Sequence, residues 1–254
     1  MYEPRTYRHW IEGKDLIPFT VTIKETDLYI RATANLQRKA HRLVLKYRRQ
    51  LEKYIEQNPI FLTSLEPLPM PRHALHIVKQ MIEATQKTGV GPMAAVAGAI
   101  AEDVGRELLA FSPEIIIENG GDIYLKSLTK RTVGIYAGKS PLTGKIGIEI
   151  DAKDTPLGIC TSSGTVSHSL SFGKADAVVT ISRSATFADA AATAIGNIVV
   201  RAEDIERGIE FASSIEGLMG AVIIKNDKIG LWGDVKICQT SVQDIKPAAD
   251  AATV

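Results

Sequence analysis

The order of the predicted elements constrains the fold more than any other feature of this sequence. Residues 115–182 predict six short apolar strands separated by connections of hairpin length, and helical periodicity occurs only before and after this block. The predicted strands are 115–118, 122–125, 132–137, 146–150, 157–161 and 177–182. Parallel neighbours would need crossovers of a dozen or more residues. The sequence therefore predicts an α+β fold with a largely antiparallel sheet and packed helices.

The flanking segments supply a hairpin at each end and the helices. Residues 19–34 alternate about a turn at 25–27, and 221–225 pair with 228–232 in a second predicted hairpin. Helices are predicted at 36–54, from His73 to Gly89 after a proline-rich connector, at 94–110, at 188–199 and at 202–214. We expect a single domain over 1–240 and a flexible tail over 241–254.

Composition excludes several classes of function. The 254 residues are 45% hydrophobic and carry 30 basic against 29 acidic side chains, so a net charge of +1 gives no general attraction to nucleic acid or anionic lipid. The most apolar stretch, 90–101, is shorter than the roughly 20 residues of a membrane span, and residues 1–10 resemble no export signal. Two cysteines are too few for a disulfide framework. We expect a cytoplasmic protein that binds neither nucleic acid nor membrane.

A pair of glycines separates the first two strands of the block. Asn119, Gly120, Gly121 and Asp122 follow Glu118, and paired glycines permit positive φ and close approach of a ligand to the backbone. Asp122 can accept from ligand N–H groups. An ordinary β-turn carrying an Asn-Gly signal explains the same residues equally well.

The strand at 157–161 ends in a run of small donors. Thr161, Ser162, Ser163, Gly164 and Thr165 offer hydroxyl and N–H groups that can converge on a phosphate, and this interpretation is favoured over a turn that satisfies its own backbone.

His168 follows this run of donors. It is a candidate general base or phosphate donor, although a lone histidine is more often structural.

Cys160 supports a separate hypothesis. A thiolate at this donor-rich turn, near His168 and Lys174, can act as a nucleophile or carry a persulfide. A buried strand residue is the commoner role for such a cysteine. The hypothesis predicts selective alkylation of Cys160 over Cys238 near neutral pH.

Asp189 and Thr193 lie one helical turn apart and can share Mg²⁺ with phosphate oxygens. The alternative is a capping box formed by Thr186 and Asp189, and spacing alone favours that cap.

Taken together, these motifs resemble a known family. Three segments are similar, in the same order, to three signatures of the ApbE-type flavin transferases: Glu118-Asn119-Gly120-Gly121-Asp122, Cys160-Thr161-Ser162-Ser163-Gly164 and 188–194. The segment 158–197 resembles an ApbE-like family of archaea and anaerobic bacteria more closely than it resembles the flavin transferases.

The resemblance implies a two-layer T-fold/ApbE-like architecture that binds FAD or FMN, or another nucleotide, with Mg²⁺ at Asp189 and Thr193. The transferases attach FMN to a hydroxyl, but their lysine near the position of Gly98 and their His-Ile-Ile-Asp-Pro segment have no counterpart in this sequence.

The nearer family is associated with sulfur assimilation, which makes Cys160 and His168 an alternative sulfur-handling centre acting with partner enzymes of cysteine or homocysteine synthesis. A non-catalytic structural subunit is a third alternative. Because T-fold relatives often assemble, we also expect a homo-oligomer.

Overall fold

The structure, a computed structural model, describes residue 8 and residues 10–165 and 172–240. Within these ranges the helices are α1 (Gln37–Gln57), α2 (Ile60–Thr63), α3 (His76–Thr88), α4 (Val96–Leu108), α5 (Ala185–Ile198) and α6 (Ile205–Ser214). The strands are β1 (Ile17–Ile23), β2 (Thr26–Ala32), β3 (Ile115–Asn119), β4 (Asp122–Lys126), β5 (Arg131–Gly134), β6 (Ile146–Ile150), β7 (Leu157–Ser162), β8 (Ala177–Ser182), β9 (Leu218–Lys225), β10 (Lys228–Gly233) and β11 (Lys236–Gln239).

The strands form two sheets. Eight of them lie in the order β1-β2-β3-β4-β7-β8-β9-β10, and β11-β6-β5 form a smaller sheet. Every pairing between these strands is antiparallel, which confirms the predicted α+β class. The sequence did not indicate β11 or α2, and the predicted strand at 132–137 is shorter and ends at Gly134.

The apolar residues divide into two cores, one on each face of the large sheet. Ile117, Tyr124 and Cys160 belong to the core beneath α1 and α3–α6, whereas Ile123 and Ile159 belong to a second core shared with the small sheet. The molecule is therefore built of helices, a central sheet and a small sheet. The expectation of two layers was incomplete. A continuous apolar run such as that of β8 indicates a strand buried on both faces, but it does not show which strands cover the second face.

Small residues bring two helices unusually close to the central strands. A Cβ on Gly105 of α4 would lie 2.3 Å from the Tyr124 ring, and one on Gly158 of β7 would lie 2.2 Å from the Cα of Ala185. Contacts this short leave no room for a side chain. Helices α4 and α5 therefore lie directly on β4 and β7, and the prediction that the third helix is internal is confirmed.

Most predicted elements are confirmed. Both hairpins form, α3 ends at Gly89 with φ of 76°, and the chain re-enters helix at His76, three residues after the predicted start. No helix in the described part of the chain is long and apolar enough to cross a membrane. The predicted tail over 241–254 lies outside the described residues.

Candidate functional site

The glycine-pair turn and the donor-rich strand end lie side by side. Strand β4 pairs with β7 through Ile123 and Ile159, and a Cβ on Gly121 would lie 3.6 Å from the carbonyl oxygen of Thr161. Gly120 and Gly121 have φ of 69° and 107°, as the motif predicts. The first two motifs therefore share one end of the central sheet.

Side chains from these strands point towards the helices. Asn119 Nδ2 donates to the carbonyl oxygen of Ala97 at 3.0 Å, and Cys160 Sγ donates to that of Ala185 at 3.3 Å. Ser162 lies beneath α5, since a Cβ on Gly196 would be 3.3 Å from its hydroxyl. The helix-facing side of β3, β4 and β7 thus meets both the start of α4 and helix α5.

Helix α5 brings the third motif to the same place. Asp189 Oδ2 accepts a hydrogen bond of 2.9 Å from the backbone N–H of Gly98 in α4. A Cβ on Gly98 would lie 2.3 Å from the carbonyl oxygen of Ala185, so the absence of a side chain permits this contact. Thr193 follows one turn later on the same face and is half-buried.

The capping box predicted from Thr186 and Asp189 is wrong. Ser184 is the N-cap of α5, and its hydroxyl accepts from the backbone N–H of Phe187 at 3.2 Å. Asp189 lies in the second turn, where the backbone N–H groups are already bonded within the helix. Its carboxylate is therefore available for a role other than capping.

Asp122 and Asp189 form an electrostatically unfavourable pair. Burial, followed by the charge of Asp189, raises the pKa of Asp122 well above its usual range. Burial likewise raises the pKa of Asp189 to about 7, although hydrogen bonds from the backbone of Gly98 and Ala97 oppose the shift. Asp122 Oδ1 is buried and has no hydrogen-bond partner among the described residues. Hydrogen bonding from the Cys160 thiol and the Thr161 backbone opposes the rise in the pKa of Asp122. Because buried carboxylate oxygens are normally satisfied, Oδ1 is nevertheless an exception that a bound cation would remove.

These residues fit a magnesium ion. No group of three or more His, Cys, Asp and Glu residues in the described ranges is arranged to hold a metal. Magnesium does not require such a cage, because it is commonly held by one or two carboxylates and completes its shell with water and substrate phosphates. Asp122 and Asp189, with the Thr193 hydroxyl one turn beyond, supply that kind of partial shell.

The donor-rich turn is less available to a phosphate than its sequence indicates. The N–H of Gly164 donates to the carbonyl oxygen of Ala175 at 3.0 Å, and Thr165 Oγ1 donates to Asp176 Oδ1 at 3.3 Å. The Thr165 N–H is also engaged, by the hydroxyl of Ser163, which is itself buried. For these residues the self-satisfied turn is what the structure shows.

The glycine-pair turn is likewise partly occupied, since the Gly121 N–H donates to Glu118 Oε1 at 2.8 Å. Thr161 and Ser162, in the same donor-rich strand end, are both half-buried. His168 lies outside the described residues.

Cys160 is not prepared as a nucleophile. Its side chain is fully buried, and burial, together with the charges of Asp122 and Asp189, raises the pKa of its thiol well above the usual value. The thiolate is the reactive form, so these surroundings suppress reactivity. Both cysteines are free thiols, and Cys238 is the more exposed of the two.

Sequence reasoning missed the contribution of α4. Gly98 and Glu102, four residues apart on that helix, both contact α5, whereas the motif analysis assigned neither a role. A signal was present. A glycine inside a helix costs about 1 kcal/mol relative to alanine, so Gly98 indicated a close approach by another segment.

Comparisons with known proteins agree with this architecture. The family described as "AbpE bacteria" matches residues 8–226. The UPF0280 protein of Methanocaldococcus jannaschii is 42% identical over 222 residues, which is 85% of this chain and 90% of that relative. The UPF0280 protein of Methanopyrus kandleri is 40% identical over 242 residues, covering 92% of this chain and 98% of that relative.

Solved structures show the same fold. The apo form of the flavinyl transferase ApbE of Pseudomonas stutzeri aligns with a TM-score of 0.57 at 14% identity, covering 90% of this chain and 96% of that one. A variant of the flavin transferase ApbE from Vibrio cholerae aligns with a TM-score of 0.56 at 12% identity, covering 90% and 98%. The chain thus belongs to the class of proteins that have the fold of the ApbE flavin transferases. Within that class, the chain belongs to the family described as "AbpE bacteria", together with UPF0280 relatives from archaea.

Proposed function

We propose that the protein binds a flavin or nucleotide diphosphate, such as FAD, through a divalent cation held by Asp122, Asp189 and Thr193. One observation carries the proposal: a buried carboxylate oxygen on Asp122 has no hydrogen-bond partner among the described residues and lies beside the carboxylate of Asp189. Two such carboxylates repel each other and any phosphate, and Mg²⁺ bound there would offset both repulsions.

The surrounding groups favour a cation-bridged ligand over a directly bound one. Three backbone N–H groups expected to receive phosphate, those of Gly121, Gly164 and Thr165, already have partners. A bare diphosphate would therefore face carboxylates and few free donors. This arrangement predicts that diphosphate binding depends on the metal.

The identity of the ligand rests on the structural neighbours. Proteins of the same fold are flavin transferases, which motivates FAD as the first candidate and FMN as the shorter one. The sulfur-handling alternative receives no support from the buried, high-pKa thiol of Cys160. A flavin ligand also explains why the carboxylates lie beside the two turns that the sequence identified.

A fluorescence titration with FAD tests the proposal. Binding is expected with Mg²⁺ and not with excess EDTA, and Asp189→Asn is expected to weaken it at least about tenfold, since it removes a metal-ligating charge. Asp227→Asn, which removes an exposed carboxylate from the β9–β10 turn, is the matched control. Equal FAD affinity with Mg²⁺ and EDTA, or no binding under either condition, would refute the proposal.

A further inference from the structure

A single buried carboxylate joins α4 to the first turn of α5. Glu102 is 0% exposed, and its side chain accepts five hydrogen bonds. Oε2 receives Ser184 Oγ at 2.8 Å, the Thr186 N–H at 3.0 Å and Thr186 Oγ1 at 3.1 Å. Oε1 receives Nε and Nη2 of Arg106, one turn further along α4. Every neighbour bonded to Glu102 is a donor.

This cluster lies one helical turn from the contact that holds Asp189. Gly98 and Glu102 are four residues apart on α4, and their partners Asp189 and Thr186 are three residues apart on α5. Residues at these spacings share a helix face. The two helices are therefore fastened at two successive points, and the first turn of α5 cannot slide along α4 without breaking the contacts of Glu102.

The negative charge of Glu102 also suits its position at the N-terminus of α5. Ser184, the N-cap of α5, donates its hydroxyl hydrogen to Glu102 while its oxygen accepts from the Phe187 N–H. A carboxylate at a helix N-terminus is favoured by the unpaired N–H groups and the helix dipole. Arg106, half-exposed, balances the charge of Glu102.

We infer that Glu102 is a positioning residue for the cation site: it fixes α5 against α4 so that the Asp189 carboxylate faces Asp122. The inference rests on the proposed function, because positioning matters only where Asp189 binds a cation. Glu102 itself touches neither ligand nor metal. Its effect is carried by Thr186 and the helix that follows, and outer-shell contacts of this kind typically change metal affinity by about 10–100-fold.

Glutamine cannot make all five hydrogen bonds of Glu102. Glu102 Oε1 accepts from the N–H groups of Arg106, and Oε2 accepts from the N–H of Thr186. None of these N–H groups can become an acceptor. Whichever way a glutamine amide is turned, its NH₂ group faces a donor, so either the contact with the Thr186 N–H or the contacts with Arg106 are lost. Glu102→Gln therefore weakens the cluster and removes its charge while preserving the size of the side chain.

The test measures Mg²⁺ affinity by calorimetry and, in metal-free protein, the exchange rate of the Gly98 amide by NMR. Glu102→Gln is expected to weaken Mg²⁺ binding about 10–100-fold and to speed exchange at Gly98. Glu107→Gln is the control, because Glu107 lies on the same helix and is bonded to Lys46 and Tyr47 on α1. It is expected to leave both quantities unchanged.

A second pair of variants separates positioning from loss of fold. Thr186→Val removes one hydroxyl contact of Glu102 but keeps the N–H bond, and is expected to weaken Mg²⁺ binding less than Glu102→Gln does. Thr186→Ser, which restores the hydroxyl, is expected to return the affinity to that of the unmodified protein. Affinity and Gly98 exchange unchanged in Glu102→Gln would overturn the inference.

The two proposals fail in distinguishable ways. If the unmodified protein binds no Mg²⁺, the proposed function is refuted, and positioning of a cation ligand is refuted with it. If the unmodified protein binds Mg²⁺ and Glu102→Gln binds it equally well, only the positioning role is refuted.

Discussion

Asp103, in the middle of α4, offers a prediction whose size follows from its burial. The residue is 3% exposed, and its Oδ2 has no hydrogen-bond partner among the described residues. Burial, then the neighbouring charge of Glu102, raises its pKa from 3.8 to about 7. An unfolded chain ionises this group near 3.8, so between the two values the folded protein holds a proton that the unfolded chain has released. Stability is therefore lost as pH rises through that window.

Asp103→Asn should accordingly stabilise the protein at alkaline pH. A shift of about 3 pKa units corresponds to about 4 kcal/mol above pH 7. The buried amide of asparagine costs about 1–3 kcal/mol, which leaves a net gain of about 1–3 kcal/mol. Urea unfolding followed by circular dichroism, at about pH 8 and about pH 4, measures this difference. At about pH 4 the ionisation penalty is almost absent and only the cost of the amide remains, so the variant should be less stable by about 1–3 kcal/mol, whereas Asp227→Asn should show no change at either pH. A variant that is less stable at about pH 8, or equally affected at both values, would refute the reasoning.

Two further changes test the packing of the site. Gly98→Ala should destabilise the protein by about 1–3 kcal/mol in urea unfolding, because its Cβ would meet the carbonyl of Ala185, and should also weaken Mg²⁺ binding by displacing Asp189; unchanged stability would contradict the close contact. Cys238 should react with iodoacetamide before Cys160, as read by peptide mass spectrometry, because the Cys160 thiol is fully buried; faster labelling of Cys160 would revive the sulfur-handling alternative.

The fold was largely predictable because its signals are local. Alternation in β1 and β2, the Asn226–Asp227 turn between β9 and β10, and the small residues of α4 each act over a few neighbouring positions. The small sheet was not predicted, because its strand β11 pairs with β6, far earlier in the chain, as in the pair Lys236 and Glu149. Such long-range pairings leave no periodic trace in the sequence.

The candidate site was predictable in composition but not in electrostatics. The sequence singled out Asp122, Asp189 and Thr193, yet it assigned the two carboxylates to separate roles and favoured a cap for Asp189. Only the folded structure reveals that the Gly98 N–H holds Asp189 and that Asp122 Oδ1 has no hydrogen-bond partner in the part of the chain that the structure describes. The number of donors at Gly164 and Thr165 likewise suggested a phosphate-binding turn. The structure shows that these donors already have partners within the protein, which a sequence alone does not reveal.

The central claim is that the carboxylates of Asp122 and Asp189 together hold a divalent cation. Anomalous diffraction from crystals soaked in Mn²⁺, a scatterer that can replace Mg²⁺, locates such an ion directly. The account predicts an anomalous peak within coordination distance of both carboxylates, which disappears in Asp122→Asn crystals. A peak bound elsewhere, or no peak in crystals that also contain FAD, would contradict it.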